Sequence, residues 1–324
     1  MRNSQRWHSA HIRAHRDLSA TVREFEIRPE GGVLPWTVGG HIDLQVQVDG
    51  RDETRSYSLI GLPGGETYRI AVKRARPSRG GSAFLWSRET GDELPVGEPR
   101  NQFELGRSAR TTLLVAGGIG ITLLLGMAQT LAARGADVAM CYAAHSADEL
   151  VHADTLRAAL GDRLRLFRSD AGERIDVARE IAALAPGAQL LACGPIRLLE
   201  ALRGAWAAAG RASADLRFET FGNSGHFAAE AFWVELPRHG LRIEVPAERS
   251  LLDVLADAGV EVLADCRRGE CGLCAMDVVR VDGQLDHRDV FFSAEQKHAN
   301  QHICACVSRV QGGGVVLDSA WREA

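Results

Sequence analysis

The first feature of the chain with clear chemistry is the run Cys266-Arg267-Arg268-Gly269-Glu270-Cys271-Gly272-Leu273-Cys274. Its C-x4-C-x2-C spacing is that of the ligand loop of a plant-type [2Fe–2S] cluster, which takes one more cysteine from later in the chain. A zinc site more often shows two close cysteine pairs, or cysteines followed by histidines. Two glycines let the backbone fold closely around the sulfurs, and loop N–H groups stabilise their charge. The run therefore predicts an iron–sulfur cluster bound by Cys266, Cys271 and Cys274.

Two later cysteines, Cys304 and Cys306, are candidates for the fourth ligand. Spacing alone favours neither, because a two-residue change in the hairpin expected at Val278–Asp286 would exchange them. Residues two apart on a strand share a face, so a strand would direct both sulfurs the same way. The cysteine that is not a ligand is expected to be a small buried apolar residue, as is Cys141.

Length, charge and cysteine count limit the class of protein. A chain of 324 residues is longer than a single hydrophobic core usually supports, so two or three domains are expected. The chain has neither a membrane-length apolar run nor an apolar signal core in Met1–Asp17, which predicts a soluble cytoplasmic protein. Seven cysteines, four of them assigned to a cluster, do not indicate disulfides.

From Trp233 onward there are 15 Asp and Glu against 10 Lys and Arg, a balance of −5. An acidic module suits docking to a basic protein surface and argues against nucleic-acid binding.

Hydrophobic patterning divides the chain into three expected domains, at residues 1–106, 107–225 and 226–324. The first has strands of alternating polarity separated by glycine-rich turns, which predicts a small antiparallel β-barrel: Thr21–Ile27, His41–Val48 and Tyr68–Lys73. The second alternates buried strands with Ala/Leu-rich helices, which predicts a doubly wound parallel sheet: Thr111–Ala116, Thr122–Arg134, Val138–Tyr142, Ala153–Leu160, Leu164–Arg168, Val177–Leu184, Gln189–Cys193 and Ile196–Ala209. The third follows a linker at Gly222–His226 and has a strand pair, a short helix and the cysteine loop: Ala231–Leu236, Leu241–Val245 and Ser250–Ala258.

Glycines at two strand ends are candidates for nucleotide binding. Gly117, Gly118 and Gly120 follow a buried strand and open a helix, whose free N–H groups suit a pyrophosphate. The motif lacks the full G-x-G-x-x-G spacing, and a tight turn without a ligand is the alternative. Cys193-Gly194-Pro195 places a second glycine at another strand end. Both motifs are expected at the carboxyl edge of the sheet, where ligands of open α/β folds bind.

A third group of residues suits a phosphorylated ring cofactor. Arg55, Ser56, Tyr57 and Ser58 combine a guanidinium and hydroxyls for a phosphate with a flat face for an aromatic ring. Lys73 adds a basic strand end, and Gly80-Gly81-Ser82 suits an anion-binding nest. Each is weak alone, since such residues are common on surfaces; together they predict a cofactor site in the barrel.

This order of motifs resembles the phthalate dioxygenase reductase family: R-x-Y-S in a barrel, then G-G-I-G-I-T, then C-G-P, then a C-terminal C-x4-C-x2-C loop. The family comprises reductase components of Rieske-type aromatic oxygenases and O-demethylases. The resemblance implies an FMN-binding β-barrel, an NADH-binding α/β domain and a C-terminal β-grasp plant-type ferredoxin domain with a [2Fe–2S] cluster. It also implies a Rieske-type terminal oxygenase as the partner.

The resemblance implies roles for individual residues. Arg55 to Ser58 correspond to the flavin site, Ala71, Val72 and Lys73 to the next contact strand, and Gly80, Gly81 and Ser82 to the phosphate nest. Thr122 corresponds to a residue near the flavin ring and nicotinamide, and Phe221 to the aromatic that closes the middle domain against the flavin. The last family cysteine precedes V-S-R and, later, V-L-D, which here favours Cys306 over Cys304.

Electron counts then imply a mechanism. NADH gives up two electrons as a hydride, whereas an iron–sulfur cluster accepts one, and a flavin converts between the two. No side-chain acid or base is required, and no catalytic residue is nominated. One alternative is a reductase for a cytochrome P450 or a ferredoxin, using FAD or NADPH. Another is a non-catalytic electron-transfer subunit of a larger flavoenzyme.

Overall fold

The computed structural model describes residues 6–48, 50–75, 78, 80–106, 110–221 and 225–318. The predicted linker at Gly222–His226 lies partly outside this set, as does the start of the predicted second domain at residue 107. The chain divides into two compact units. One runs to Gly194 and includes Ala201–Glu219; the other comprises Pro195–Glu200 and the chain from Thr220 onward. None of the helices in the described ranges has the length and apolar character needed to cross a bilayer.

The first unit begins with an antiparallel barrel made of two sheets. Its strands are β1 (Trp7–His8), β2 (Ala10–Asp17), β3 (Val22–Pro29), β4 (His41–Val48), β5 (Arg51–Ser58), β6 (Tyr68–Lys73) and β7 (Val96–Gly97), with one short helix, α1 (Gly81–Trp86). The strand orders are β1-β7-β4-β5 and β2-β3-β6. Alternate side chains point inward and form one core, which includes Phe25, Ile42, Leu44 and Ile70. This confirms the predicted barrel.

The same unit contains a five-stranded parallel sheet. Its elements are β8 (Thr112–Gly117), α2 (Ile121–Ala133), β9 (Val138–Ala144), α3 (Ala153–Leu160), β10 (Leu164–Arg168), α4 (Val177–Ala182), β11 (Gln189–Cys193), α5 (Ile196–Ala208), which belongs to this unit from Ala201 onward, and β12 (Leu216–Glu219). The order β10-β9-β8-β11-β12 places the first strand in the centre. Strand β8 is buried throughout, as its continuous apolar run predicts. This confirms the doubly wound fold, whose topological switch point lies between β8 and β11.

The second unit contains a mixed five-stranded sheet with order β14-β13-β17-β15-β16. Its elements are β13 (Phe232–Leu236), β14 (Leu241–Val245), α6 (Leu251–Asp257), β15 (Ala275–Asp286), α7 (Ala294–Ala299), β16 (His302–Cys304) and β17 (Arg309–Asp318). The N-cap of α6 is Ser250, whose hydroxyl accepts the Asp253 N–H. The apolar face of α6 joins the sheet core through residues such as Leu251 and Leu255. This is the predicted β-grasp arrangement.

The prediction of a hairpin at Val278–Asp286 is wrong, because these residues belong to the single long strand β15. Its partner is β17, and the register shifts twice, once between Val278 and Arg280 and again between Asp282 and Gln284. Gly283 has φ +102°, and a Cβ there would overlap the Gln311 carbonyl oxygen. The Asp-Gly pair therefore forms a β-bulge and not a turn.

His152 precedes α3 with φ 60°, in the left-handed region, and its Nε2 lies 3.5 Å from Glu24 Oε2 in β3. Burial lowers the pKa of His152 from 6.5, and the Glu24 carboxylate acts against this effect. In the unfolded chain the imidazole takes up a proton as pH falls below 6.5, while in the folded chain it stays neutral to lower pH. The unfolding free energy therefore falls with this protonation.

We expect His152→Asn to flatten this acid dependence, since asparagine tolerates the left-handed backbone and does not titrate. Urea unfolding of both proteins at a series of pH values measures the effect. Equal slopes of unfolding free energy against pH below 6.5 would contradict it.

Candidate functional site

The cysteine loop lies between α6 and β15 in the second unit, and the sulfur of its first cysteine, Cys266, is surrounded by backbone N–H donors. Cys266 Sγ accepts the N–H groups of Arg268, Glu270 and Cys271, each at 3.4 Å. Burial raises the pKa of the Cys266 thiol, and these three N–H groups act against burial. A sulfur with several N–H donors suits an anionic ligand of a metal cluster.

Both loop glycines are required by conformation and by space. Gly269 has φ +79°, and a Cβ there would lie 2.8 Å from Asp289 Cα. Gly272 has φ +73°, and a Cβ there would overlap the Phe291 ring. The Val290 N–H also donates to the Gly269 carbonyl at 2.9 Å. The close folding predicted for these two glycines is confirmed.

Cys274 lies beside both candidates for the fourth ligand. Strand pairing sets Ala275 opposite Cys304, and the Ala305 N–H donates to the Cys274 carbonyl at 3.1 Å. Cys304 and Cys306 thus flank the position opposite Cys274. The neighbouring thiols of Cys304 and Cys306 lower the pKa of Cys274 to about 3, and burial acts against them.

Cys306 differs from Cys304 in its contacts with the loop. Its sulfur accepts a backbone hydrogen bond from Gly269 and interacts electrostatically with Cys266, whereas Cys304 is influenced instead by Asp289. Strand β16 ends at Cys304, so Cys306 lies in the turn that follows and not on the strand. Cys306 is therefore the candidate that reaches both ends of the loop.

The chemistry of this donor set fits a [2Fe–2S] cluster. Among the described residues, no three His, Cys, Asp or Glu side chains converge on a single metal-ion position. A two-iron cluster bound by four cysteines does not need such convergence, since each iron takes only two of them.

In the barrel, strand β5 separates the predicted cofactor residues between two faces. Tyr57 packs against the barrel core, while Ser56 Oγ donates to Asp43 Oδ1 at 2.5 Å. Asp43 is buried and also pairs with Arg100. Ser58, at the strand end, is buried. The structure therefore brings Ser56 to a buried carboxylate on the face opposite Tyr57.

Arg55 lies against the predicted phosphate nest. A Cβ on Gly81 would come within 2.7 Å of the Arg55 side chain, so glycine leaves the space that the arginine fills. Gly80 has φ +84°. Ser82 Oγ accepts the Ala75 N–H at 3.2 Å and lies 3.0 Å from Ser78 Oγ. Arg55 and Gly80 to Ser82, predicted separately, thus meet at one place.

Strand β6 carries the next predicted residues. Ala71 and Val72 are buried, and Lys73 Nζ lies 2.9 Å from Glu149 Oε2. Burial raises the pKa of Glu149, but hydrogen bonds from Lys73 and Thr21 outweigh it and lower the pKa overall. No local pattern indicates this partner, because Glu149 follows β9, 76 residues after Lys73.

The two glycine motifs of the parallel sheet meet at its switch point. Strands β8 and β11 are neighbours, with Ala116 paired to Cys193. A Cβ on Gly120 would overlap the Cys193 carbonyl oxygen, and it would lie 3.0 Å from Gly194 N. Gly118 has φ +52°, and Pro195, the last residue of the second motif, is exposed. Open α/β folds bind ligands at such an edge.

Thr122 and Phe221 have different surroundings. Thr122 is buried in the first turn of α2, where its hydroxyl donates to the Ile119 carbonyl at 2.9 Å. Phe221, in the second unit, is half-buried, and the N–H of the preceding Thr220 donates to Glu270 Oε1 at 2.7 Å. Burial raises the pKa of Glu270, and Arg268 acts against it. This contact between the cysteine loop and the segment at Phe221 was not predicted, because only the fold brings residues 50 positions apart together.

We expect Gly120→Ala to destabilise the first unit by about 1–3 kcal/mol, because the added methyl group forces β8 and β11 apart at the turn. A matched control is Gly204→Ala in α5, where a Cβ meets nothing within 4 Å. That change should stabilise the helix by about 0.5–1 kcal/mol. Thermal unfolding of both variants measures the difference, and equal stability would contradict the close approach.

Comparison with known proteins agrees with this arrangement. Residues 234–311 match the 2Fe-2S iron-sulfur cluster binding domain. The chain is 36% identical over 310 residues to the heme-dependent oxidative N-demethylase beta subunit of Ectopseudomonas mendocina, covering 95% of this chain and 97% of that protein. It is 36% identical over 301 residues to the vanillate O-demethylase oxidoreductase of Pseudomonas sp., covering 90% and 93%.

A solved structure of phthalate dioxygenase reductase, described as a modular structure for electron transfer from pyridine nucleotides to [2Fe-2S], matches with a TM-score of 0.73. Its sequence is 30% identical, and the match covers 96% of this chain and 98% of that one. The resemblance inferred from the order of the motifs is confirmed, and the chain belongs to the phthalate dioxygenase reductase family.

Proposed function

We propose that this chain is the NADH-dependent reductase component of a Rieske non-haem iron aromatic oxygenase or demethylase. The observation that carries the proposal is the cysteine loop, whose sulfurs and N–H donors suit a [2Fe–2S] cluster, at the end of a chain that also has a barrel and a doubly wound sheet. Electrons would pass from NADH to FMN, then to the cluster, and then to the oxygenase. The reductase relatives support this order.

A bound flavin would supply the conversion from a two-electron hydride to single electrons. The residues of this chain would bind and orient it, and no side-chain acid or base is required. Arg55 beside the glycine nest suits the phosphate, and Tyr57 offers an aromatic face. The proposed flavin-binding residues are Arg55, Ser56, Tyr57, Ser58, Ala71, Val72, Lys73, Gly80, Gly81 and Ser82.

The switch point of the parallel sheet is the proposed NADH site. The N-cap residues of the turn and of α2, Gly117 and Gly120, provide no side-chain cap, and the backbone N–H groups at the start of α2 would suit a pyrophosphate. Two further residues belong to the proposed site. Thr122 would lie near the nicotinamide, and Phe221 would be the aromatic residue that closes the middle domain against the flavin. The proposed nucleotide-binding residues are Gly117, Gly118, Gly120, Cys193, Gly194, Pro195, Thr122 and Phe221.

The proposed cluster ligands are Cys266, Cys271, Cys274 and Cys306. The N–H bond from Gly269 supports Cys306 as the fourth. The proposed domains remain residues 1–106, 107–225 and 226–324, in a cytoplasmic protein. The acidic balance of −5 from Trp233 onward supports docking of the oxygenase near the ferredoxin domain.

Cofactor extraction and turnover of the isolated chain test this function. We expect one FMN and two irons per chain, with cytochrome c reduced by NADH faster than by NADPH. FAD in place of FMN would favour the alternative of a reductase for a cytochrome P450 or a ferredoxin. Zinc in place of iron would refute the iron–sulfur cluster. A holoprotein that contains both cofactors but does not turn over would be an electron-transfer subunit and not a reductase.

A further inference from the structure

Asp289, which lies between β15 and α7, is a fully buried carboxylate that is not among the proposed cluster, flavin or nucleotide residues. Its Oδ2 accepts the N–H of Phe292 at 2.9 Å, and its Oδ1 accepts the hydroxyl of Ser308 at 3.3 Å. Lys297 Nζ donates to its carbonyl oxygen at 2.5 Å. A carboxylate removed from water depends on such donors, so these bonds fix the segment from Asp289 to Phe292.

This segment lies directly against the cysteine loop. The Val290 N–H donates to the Gly269 carbonyl at 2.9 Å, and a Cβ on Gly269 would lie 2.8 Å from Asp289 Cα. The residues on either side of Gly269, Arg268 and Glu270, donate their N–H groups to Cys266 Sγ. The segment that Asp289 fixes therefore sets the position of the loop backbone around the Cys266 sulfur.

The other oxygen of the carboxylate reaches the turn that contains Cys306. Ser308 follows Cys306 by two residues, and it is buried. Its hydroxyl accepts the Arg288 N–H at 3.1 Å, and its own N–H donates to the Cys304 carbonyl at 3.0 Å. One carboxylate thus joins the two separate parts of the chain that contain the first and the last proposed ligands.

We propose that Asp289 is a positioning residue that holds the turn of Cys306 and the loop around Cys266 at the separation that a cluster bound by both requires. The inference rests on the proposed function, since it takes these cysteines as ligands. Groups that orient metal ligands through hydrogen bonds contribute to metal retention without touching the metal. The role requires hydrogen bonds at both side-chain oxygen positions and does not require the negative charge.

Asp286 provides a matched control, because it is equally buried and lies three residues earlier in the same unit. Its Oδ1 accepts the His226 N–H at 2.9 Å, and its Oδ2 accepts Arg288 Nε at 2.7 Å. These bonds go to the segment before β13 and to a buried guanidinium, and not to the cysteine loop. Removing the carboxylate that pairs with a buried guanidinium should cost the fold at least as much as removing Asp289.

The experiment compares Asp289→Ala, Asp289→Asn, Ser308→Ala and Asp286→Ala with the wild type in the full holoprotein. The first readout is the rate at which the visible absorbance of the cluster is lost to an iron chelator. The second is the electron paramagnetic resonance spectrum of the cluster reduced with dithionite, which does not depend on NADH turnover. Urea unfolding of each variant measures the stability of the fold separately.

We expect Asp289→Ala to lose the cluster about 10- to 100-fold faster than the wild type, with altered g values in the cluster that remains. Ser308→Ala should lose it about fivefold faster, the equivalent of one hydrogen bond. Asp289→Asn should stay close to the wild type, because its Oδ1 can accept the Phe292 N–H while its Nδ2 donates to Ser308 Oγ. Asp286→Ala should keep the wild-type rate and g values even where urea unfolds it more easily.

An unchanged rate in Asp289→Ala, or an equal acceleration in Asp286→Ala, would overturn the inference, since cluster loss would then be independent of Asp289 or follow fold stability alone. Asp289→Asn losing the cluster as fast as Asp289→Ala would also overturn it. If Asp289→Ala does not fold, Ser308→Ala decides, because it removes only a hydroxyl group, and a wild-type rate there would overturn the inference. Failure of NADH to reduce a normal wild-type cluster would instead refute the proposed function.

Discussion

Cys306→Ser should abolish the visible absorbance of the cluster, whereas Cys304→Ser should retain it. Cys306 reaches both Cys266 and the Gly269 N–H, as a ligand that closes the loop must, and Cys304 reaches neither. The loss of cluster affinity should exceed about 100-fold, since even residues that only support a ligand cost roughly 10–100-fold.

The measurement is iron content together with two NADH-dependent activities. In Cys306→Ser, cytochrome c reduction should fall with the iron, while ferricyanide, which takes electrons directly from the flavin, should still be reduced. Cys304→Ser serves as the matched control, because it removes an equally buried sulfur two residues away. A Cys304→Ser protein without iron, beside a Cys306→Ser protein with iron, would reverse the ligand assignment.

Arg55→Ala should weaken flavin binding about 10- to 100-fold, the contribution of hydrogen bonds to a charged group. The Arg55 side chain fills the space that Gly81 leaves open, and it would offer a fork of N–H donors to the proposed flavin phosphate there. Arg55→Lys should recover only part of the affinity, because an ammonium group cannot form the paired contact. Fluorescence titration of the flavin-free protein with FMN measures the dissociation constants.

The control for Arg55 is Arg51→Ala, a change at the start of the same strand, where the side chain is exposed. It makes the same change in net charge and should leave FMN affinity unchanged. If both variants bind FMN like the wild type, the phosphate site lies elsewhere in the barrel. If both lose affinity equally, the effect is one of net charge and not of a specific contact.

The sequence predicts the parallel sheet closely, because its central strands β8, β9 and β11 are mostly buried and read as apolar runs. Leu164–Arg168 and Gln189–Cys193 have the predicted bounds. Strand β2 was not predicted, since only Ala10 and Ile12 are buried among its histidines and arginines. Backbone pairing with β3 stabilises this strand, and such pairing leaves no clear hydrophobic pattern in the sequence of β2.

The site shows the same division between local and long-range information. Cysteine spacing and loop glycines are local, so the cluster loop is readable from the sequence. The choice between Cys304 and Cys306 depends on how β16 ends against β15, and the contacts of Lys73 with Glu149 and of Thr220 with Glu270 join distant segments. Charge and residue type permit many such pairs, and only tertiary packing selects among them.

The proposed function requires that this single chain carry electrons from NADH to its own iron–sulfur cluster. The most direct test is an anaerobic titration of the purified holoprotein with NADH, followed by flavin absorbance and by electron paramagnetic resonance. We expect loss of the oxidised flavin absorbance together with the appearance of a reduced [2Fe–2S] signal. A cluster that dithionite reduces but NADH does not, with the flavin bound, would contradict the proposed function.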